Sequence, residues 1–142
     1  MTQKNNYLFV YGTLLDEQNE FAIYLKQNCN FYGKGRFKGR LYNLGEYPGA
    51  VLDEKGDNYV CGSILEVKNI SEVLIRLDEY EGFVHNQKEP NLFVREIITI
   101  ETVNERTDCW VYLYNLQVEG FRLIESGDYS AYKETGEYLR KD

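Results

Sequence analysis

The segment from Phe31 to Leu44 restricts the fold of this chain more than any other stretch. It reads as extended, twisted strand, yet glycines at 33, 35 and 39 interrupt it. Glycine inside a strand marks a bulge, a tight bend or the close approach of another backbone. A strand bent so often curves strongly, and curved strands pack by closing into a barrel.

The surrounding pattern supplies the other parts. Tyr7 to Tyr11 is a short apolar, aromatic run ended by Gly12, as expected for a buried strand. Asp16 is placed to cap a short surface helix carrying Phe21, Tyr24, Leu25 and Asn28. After a loop over Gly45 to Gly49, Ala50 to Asp53 and Tyr59 to Val67 flank a polar Glu54-Lys55-Gly56-Asp57 turn, which reads as a hairpin. The period then changes: Ile70, Val73, Leu74 and Leu77 share one helical face, with Asn69 or Ser71 as cap and Gly82 suited to a left-handed terminus. Leu92 to Val103 and Cys109 to Asn115 read as two strands joined at Asn104 to Thr107. Capping chemistry around Ser126 to Asp128 predicts a short closing helix. The expected class is α+β: one domain over residues 1–142, a compact, mostly antiparallel, mixed β-barrel with flanking short helices.

Composition agrees. A chain of 142 residues, 43% apolar, can bury a core without a staple, and thirteen tyrosines with seven phenylalanines favour sheet. The net charge of −7 repels phosphate backbones, so no nucleic-acid partner is expected. Cys29, Cys61 and Cys109 are far apart and form no CxxC or Cys/His cluster with the one histidine, His85, so no metal and no cofactor is expected. These thiols read as buried, reduced side chains with no basic partner to make a nucleophile. The polar start, Met1 to Asn6, leads into no signal-peptide core or membrane-length run; the expectation is a cytoplasmic protein with no membrane contact. The sequence leaves the oligomeric state open.

Few residues carry candidate chemistry. Tyr11-Gly12-Thr13-Leu14 follows the first strand, where successive amides can point outward together and hold an anion; an ordinary strand-to-helix turn reads the same way. Glu81 ends a helix, where partial negative charge disfavours a carboxylate, so stability alone would select lysine there. Its alternative is a solvated helix-end acid, as Asp78 and Glu79 are expected to be. Tyr47-Pro48-Gly49 is either a rigid turn or the edge of a pocket with Tyr47 as its wall. His85 falls in a polar loop, and Tyr129 and Tyr132 read as packing residues.

Taken in order, Tyr11 to Leu14, the Leu-Tyr-x-Leu-Gly-x-Tyr-Pro-Gly segment at Leu41 to Gly49, and the Leu-Asp-x-Tyr-Glu-Gly segment at Leu77 to Gly82 resemble the γ-glutamylcyclotransferase-like superfamily. The likeness is to its AIG2-like, γ-glutamylamine cyclotransferase branch. It implies an enzyme that acts on a small γ-glutamyl substrate, releasing 5-oxoproline by attack of the substrate's α-amine on its own γ-carbonyl. It also implies that Tyr11, Gly12, Thr13 and Leu14 hold the γ-glutamyl group, with Tyr47 at the pocket edge, and that Glu81 is the acid/base. The Gly-Thr-Leu of this loop departs from the Gly-Ser-Asn of the glutathione-pathway enzymes and favours the amine-type branch. A barrel of the same fold that only binds an amino-acid-like ligand, its glutamate recognising an ammonium, is the alternative.

Overall fold

The strand expected at Phe31 to Leu44 is longer than expected and organises the rest. In the computed structural model, which describes residues 5–12, 20–45, 47–81 and 92–134, β2 runs over Cys29–Asn43. Before it stand β1 (Tyr7–Val10) and α1 (Glu20–Asn28); after it come β3 (Pro48–Leu52), β4 (Tyr59–Val67) and α2 (Ile70–Glu81). The chain continues with β5 (Phe93–Glu101), β6 (Arg106–Tyr114), β7 (Arg122–Leu123) and α3 (Tyr129–Glu134). Asp16, the expected cap of α1, lies outside the described residues.

The strands form the order β2-β4-β1-β6-β5, and β5 returns to β2 at the pair Arg36↔Glu101. This closes a five-stranded mixed barrel, parallel at β1–β6 and antiparallel elsewhere. The glycines in β2 explain the closure. The register with β4 shifts between Phe31 and Gly33, the expected bulge, and bends the strand. At Gly35 a Cβ would stand 2.4 Å from Ile100 Cγ2 and 3.1 Å from the Glu101 carbonyl. Only a residue without a side chain lets β2 and β5 meet there.

The proposed hairpin is not formed. β3 and β4 both pair with β2, on opposite sides of it in the sheet order, and not with each other. Each is antiparallel to β2, so the two run in the same direction and cannot make a two-strand hairpin. The polar turn carries the chain from one edge of β2 to the other, held where the Asp53 N–H meets the Lys38 carbonyl and the Gly39 N–H meets the Asn58 carbonyl.

Two apolar clusters result. The barrel interior holds Phe9, Phe37, Val60, Ile64, Ile100 and Val111, and Tyr129 and Tyr132 of α3 are buried in the same cluster, as packing residues. A second cluster lies where α2 covers the barrel wall: Val73, Leu74 and Leu77 pack with Leu8, Leu65 and Tyr112. The helical face read from the sequence is thus the buried one, and the Asn69 carbonyl accepts the first helical bond, from Val73 N–H. β1 contributes Phe9 to one cluster and Leu8 to the other, which is why its sequence is a continuous apolar run.

Barrel closure is testable at its tightest point. Gly35→Ala should destabilise the fold by about 1–3 kcal/mol, because β-branched Ile100 must give way. In denaturant titrations, combining it with Ile100→Ala should lose less than the sum of the single losses.

Candidate active site

Two of the three motif segments of the sequence meet near the end of β1. Gly12 follows that strand, and a Cβ on it would lie 3.2 Å from Pro48 Cγ, so the loop after β1 passes directly against the start of β3. Tyr11 fixes the same junction. Its hydroxyl donates to the Tyr112 carbonyl of β6 (2.5 Å) and accepts from the Ala50 N–H of β3 (3.3 Å). The tyrosine that opens the loop motif therefore ties together two strands that flank the candidate site. Thr13 and Leu14 lie outside the described residues.

Tyr47 directly precedes Pro48 of this junction and leaves 42% of its surface exposed. Its ring centroid is 5.9 Å from that of Phe93, which lies 5.6 Å from Tyr114. Tyr114 in turn meets Phe121 edge to face at 6.1 Å. This row of rings continues from the turn after β2 across the first residue of β5 and the last of β6. Offset and edge-on ring pairs of this kind hold orientation as well as area.

Glu81 is the last residue of α2. Its carboxylate, with Gly82 and the loop bearing His85, lies outside the described residues and side chains. One turn earlier the structure corrects the sequence reading. Asp78 is not a solvated helix-end acid: its side chain is 14% exposed, it accepts two hydrogen bonds from Arg95 (2.8 and 3.0 Å) and a third from the Tyr112 hydroxyl (2.5 Å). Glu79 is exposed, as expected. Arg95 lies with its guanidinium 4.7 Å from the Trp110 ring centre, a cation–π contact. Burial disfavours its charge, but the hydrogen bonds and the field of Asp78 more than offset this and raise its pKa. No periodicity marks such a pair, because Asp78 and Arg95 come from different elements. The only signal in the sequence is an acid flanked by the apolar positions 74 and 77 of α2.

Residues 8–131 match the sequence profile of the family described as γ-glutamyl cyclotransferase, AIG2-like. This chain belongs to that family. The γ-glutamylcyclotransferase family protein YtfP of Escherichia coli is 30% identical over 123 residues, which cover 86% of this chain and 94% of that one. Its solution structure superposes with a TM-score of 0.63 at 31% identity, covering 87% of this chain and 95% of YtfP. The γ-L-glutamyl-butirosin B γ-glutamyl cyclotransferase of Niallia circulans is 33% identical over 109 residues, 76% of this chain and 66% of that enzyme. The crystal structure of Bacillus subtilis YkqA has the same fold, with a TM-score of 0.68 and 24% identity; the match covers 94% of this chain and 43% of YkqA. Family membership supports an enzyme of the γ-glutamylcyclotransferase kind. Among the described residues no helix is long and apolar enough to cross a membrane.

The thiols of this chain are held protonated by their surroundings. Burial pushes Cys29 up to about 11 and, together with the Asp108 charge, Cys109 up to about 12; burial also raises Cys61. The thiolate is the reactive form. Alkylation of Cys29 at neutral pH should therefore run about a hundredfold slower than for a thiol at the ordinary 9.0, and should climb tenfold per pH unit toward pH 11. Mass-spectrometric labelling rates across that range check this. Tyr11→Phe should lower stability by about 1–3 kcal/mol in denaturant titrations, since the buried Tyr112 carbonyl and Ala50 N–H each lose a partner.

Proposed function

We propose that this chain releases 5-oxoproline from a γ-glutamyl amine or peptide. The nucleophile and electrophile belong to one substrate molecule: the α-amine attacks the γ-carbonyl carbon, the new C–N bond closes a five-membered ring, and the old bond to the leaving amine breaks. The site mainly has to hold the substrate folded, and orientation of this kind contributes about 7–11 kcal/mol in favourable cases.

Two proton movements remain. The α-amine gives a proton to Glu81 as it attacks, and the same proton passes to the departing nitrogen, so one carboxylate serves as base and then as acid. The position of Glu81 at the end of α2, with no basic residue in the last turn, suits a group that must take up a proton, because the helix end disfavours the negative charge of the free carboxylate. The oxyanion formed on the γ-carbonyl is received by amides of the Gly12-Thr13-Leu14 loop, and Tyr47 shields one side of the bound glutamyl group.

The observation that carries this reading is the meeting of both motif segments on one residue of β6. Tyr11 bonds the backbone carbonyl of Tyr112 and Asp78 bonds its hydroxyl, so the residue that opens the loop after β1 and the last turn of α2 are both tied to one residue of β6. The Niallia circulans relative is a γ-glutamyl cyclotransferase of γ-L-glutamyl-butirosin B, which favours a γ-glutamyl compound as the substrate class here.

Glu81→Gln tests the assignment. Simple γ-glutamyl amines and dipeptides, γ-glutamyl-n-butylamine and γ-glutamylalanine among them, are assayed for 5-oxoproline. Wild type should release it, and the variant should lose at least about a hundredfold in kcat while still binding the substrate in calorimetry. Equal release by both proteins removes Glu81 from the mechanism. Binding by both with release by neither supports the binding-only barrel.

A further inference from the structure

Tyr112 occupies a position that the chemistry above does not use. It lies in β6 between two elements that do not touch each other in sequence, and it engages both at once. Its main-chain carbonyl accepts the Tyr11 hydroxyl, and its own hydroxyl donates to Asp78 Oδ1. Asp78 is held from a second direction by the Arg95 fork on β5, and Arg95 rests on Trp110, two residues before Tyr112 on β6. A carboxylate that accepts three hydrogen bonds, two from a planar guanidinium, is fixed in rotation as well as in position.

Asp78 precedes Glu81 by three residues on α2, so both lie on neighbouring turns of one face. The last turn of a helix otherwise frays, since its carbonyls have no partners within the helix. Here that turn carries several acids and no base of its own, which weakens it further. The charge that offsets them comes from the barrel wall, through Arg95.

We infer that Tyr112, with Asp78 and Arg95, is a positioning unit that fixes the last turn of α2, and with it Glu81, against the loop that begins at Tyr11. Neither Tyr112 nor Asp78 touches the substrate in this scheme; both act through Glu81. The inference rests on the assignment of Glu81 above for its catalytic consequence, but its structural part stands apart from that assignment.

Tyr112→Phe is the appropriate variant. It removes the hydroxyl that reaches Asp78 and leaves the carbonyl that holds Tyr11. Hydrogen exchange followed by mass spectrometry should show the amides of 78–81 exchanging at least about tenfold faster, with those of β1 and β4 unchanged. With the γ-glutamyl compound that wild type turns over fastest, kcat should fall between about tenfold and a hundredfold while KM stays within about twofold. The assay is run well below the melting transition, where a loss of stability alone leaves kcat unchanged. Asp78→Asn, which keeps an acceptor for Tyr112 but loses the ion pair, should move exchange and kcat in the same directions. Unaltered exchange at 78–81 in both variants overturns the proposal, as does faster exchange with an unchanged kcat. If wild type turns over no compound, or Glu81→Gln matches it, the catalytic assignment has failed and exchange alone decides the positioning unit.

Discussion

β2 and β5 meet at one register pair, Arg36↔Glu101, and the barrel depends on that meeting. The approach leaves no room for a side chain at Gly35, where Ile100 and the Glu101 carbonyl press against the backbone. With β2 and β5 joined, β1 is enclosed between β4 and β6: all four of its residues pair with β4, and Leu8 pairs with Trp110 of β6. A strand so short would be marginal in an open sheet. Enclosure makes its end a fixed platform, and the loop motif begins at that end. The half of β2 beyond Lys38 leaves the barrel, where it pairs with β3 on one side and β7 on the other. It thereby brings Tyr47 and Pro48 to the same end.

The electrostatics of α2 show how the fold accommodates charges that a free helix would avoid. The last turn is acidic where the macrodipole asks for a cation. Arg95 supplies that cation from a neighbouring strand and holds Asp78 by two short bonds in a half-dry setting. One acid of the turn is thus neutralised by tertiary structure.

Much of the architecture was legible beforehand because it follows from local periodicity. The face of α2 formed by Ile70, Val73, Leu74 and Leu77 repeats at helical spacing, and all four are buried. The glycines of β2 announced its curvature. The false hairpin shows the boundary of such reasoning. The turn at Glu54 to Asp57 has good turn chemistry, and that chemistry fixes where the chain turns but not which strand lies between the two it connects. Asp78 shows the same boundary for charge: its spacing relative to Glu79 and Glu81 gives no hint that Arg95 and Tyr112 would enclose it.

The sequence by itself determined the class of the fold, the helical and extended stretches, and which short motifs to associate with a γ-glutamyl substrate. These rest on steric and hydrophobic preferences that act within a few residues. The tertiary structure alone decided which edges of β2 are occupied, that Tyr11 spends its hydroxyl on two strands, and that Asp78 is an ion-paired anchor. Each is an interaction between residues distant along the chain, Tyr11 with Tyr112 and Asp78 with Arg95, and such pairings exist only once closure of the barrel has set the distances between strands.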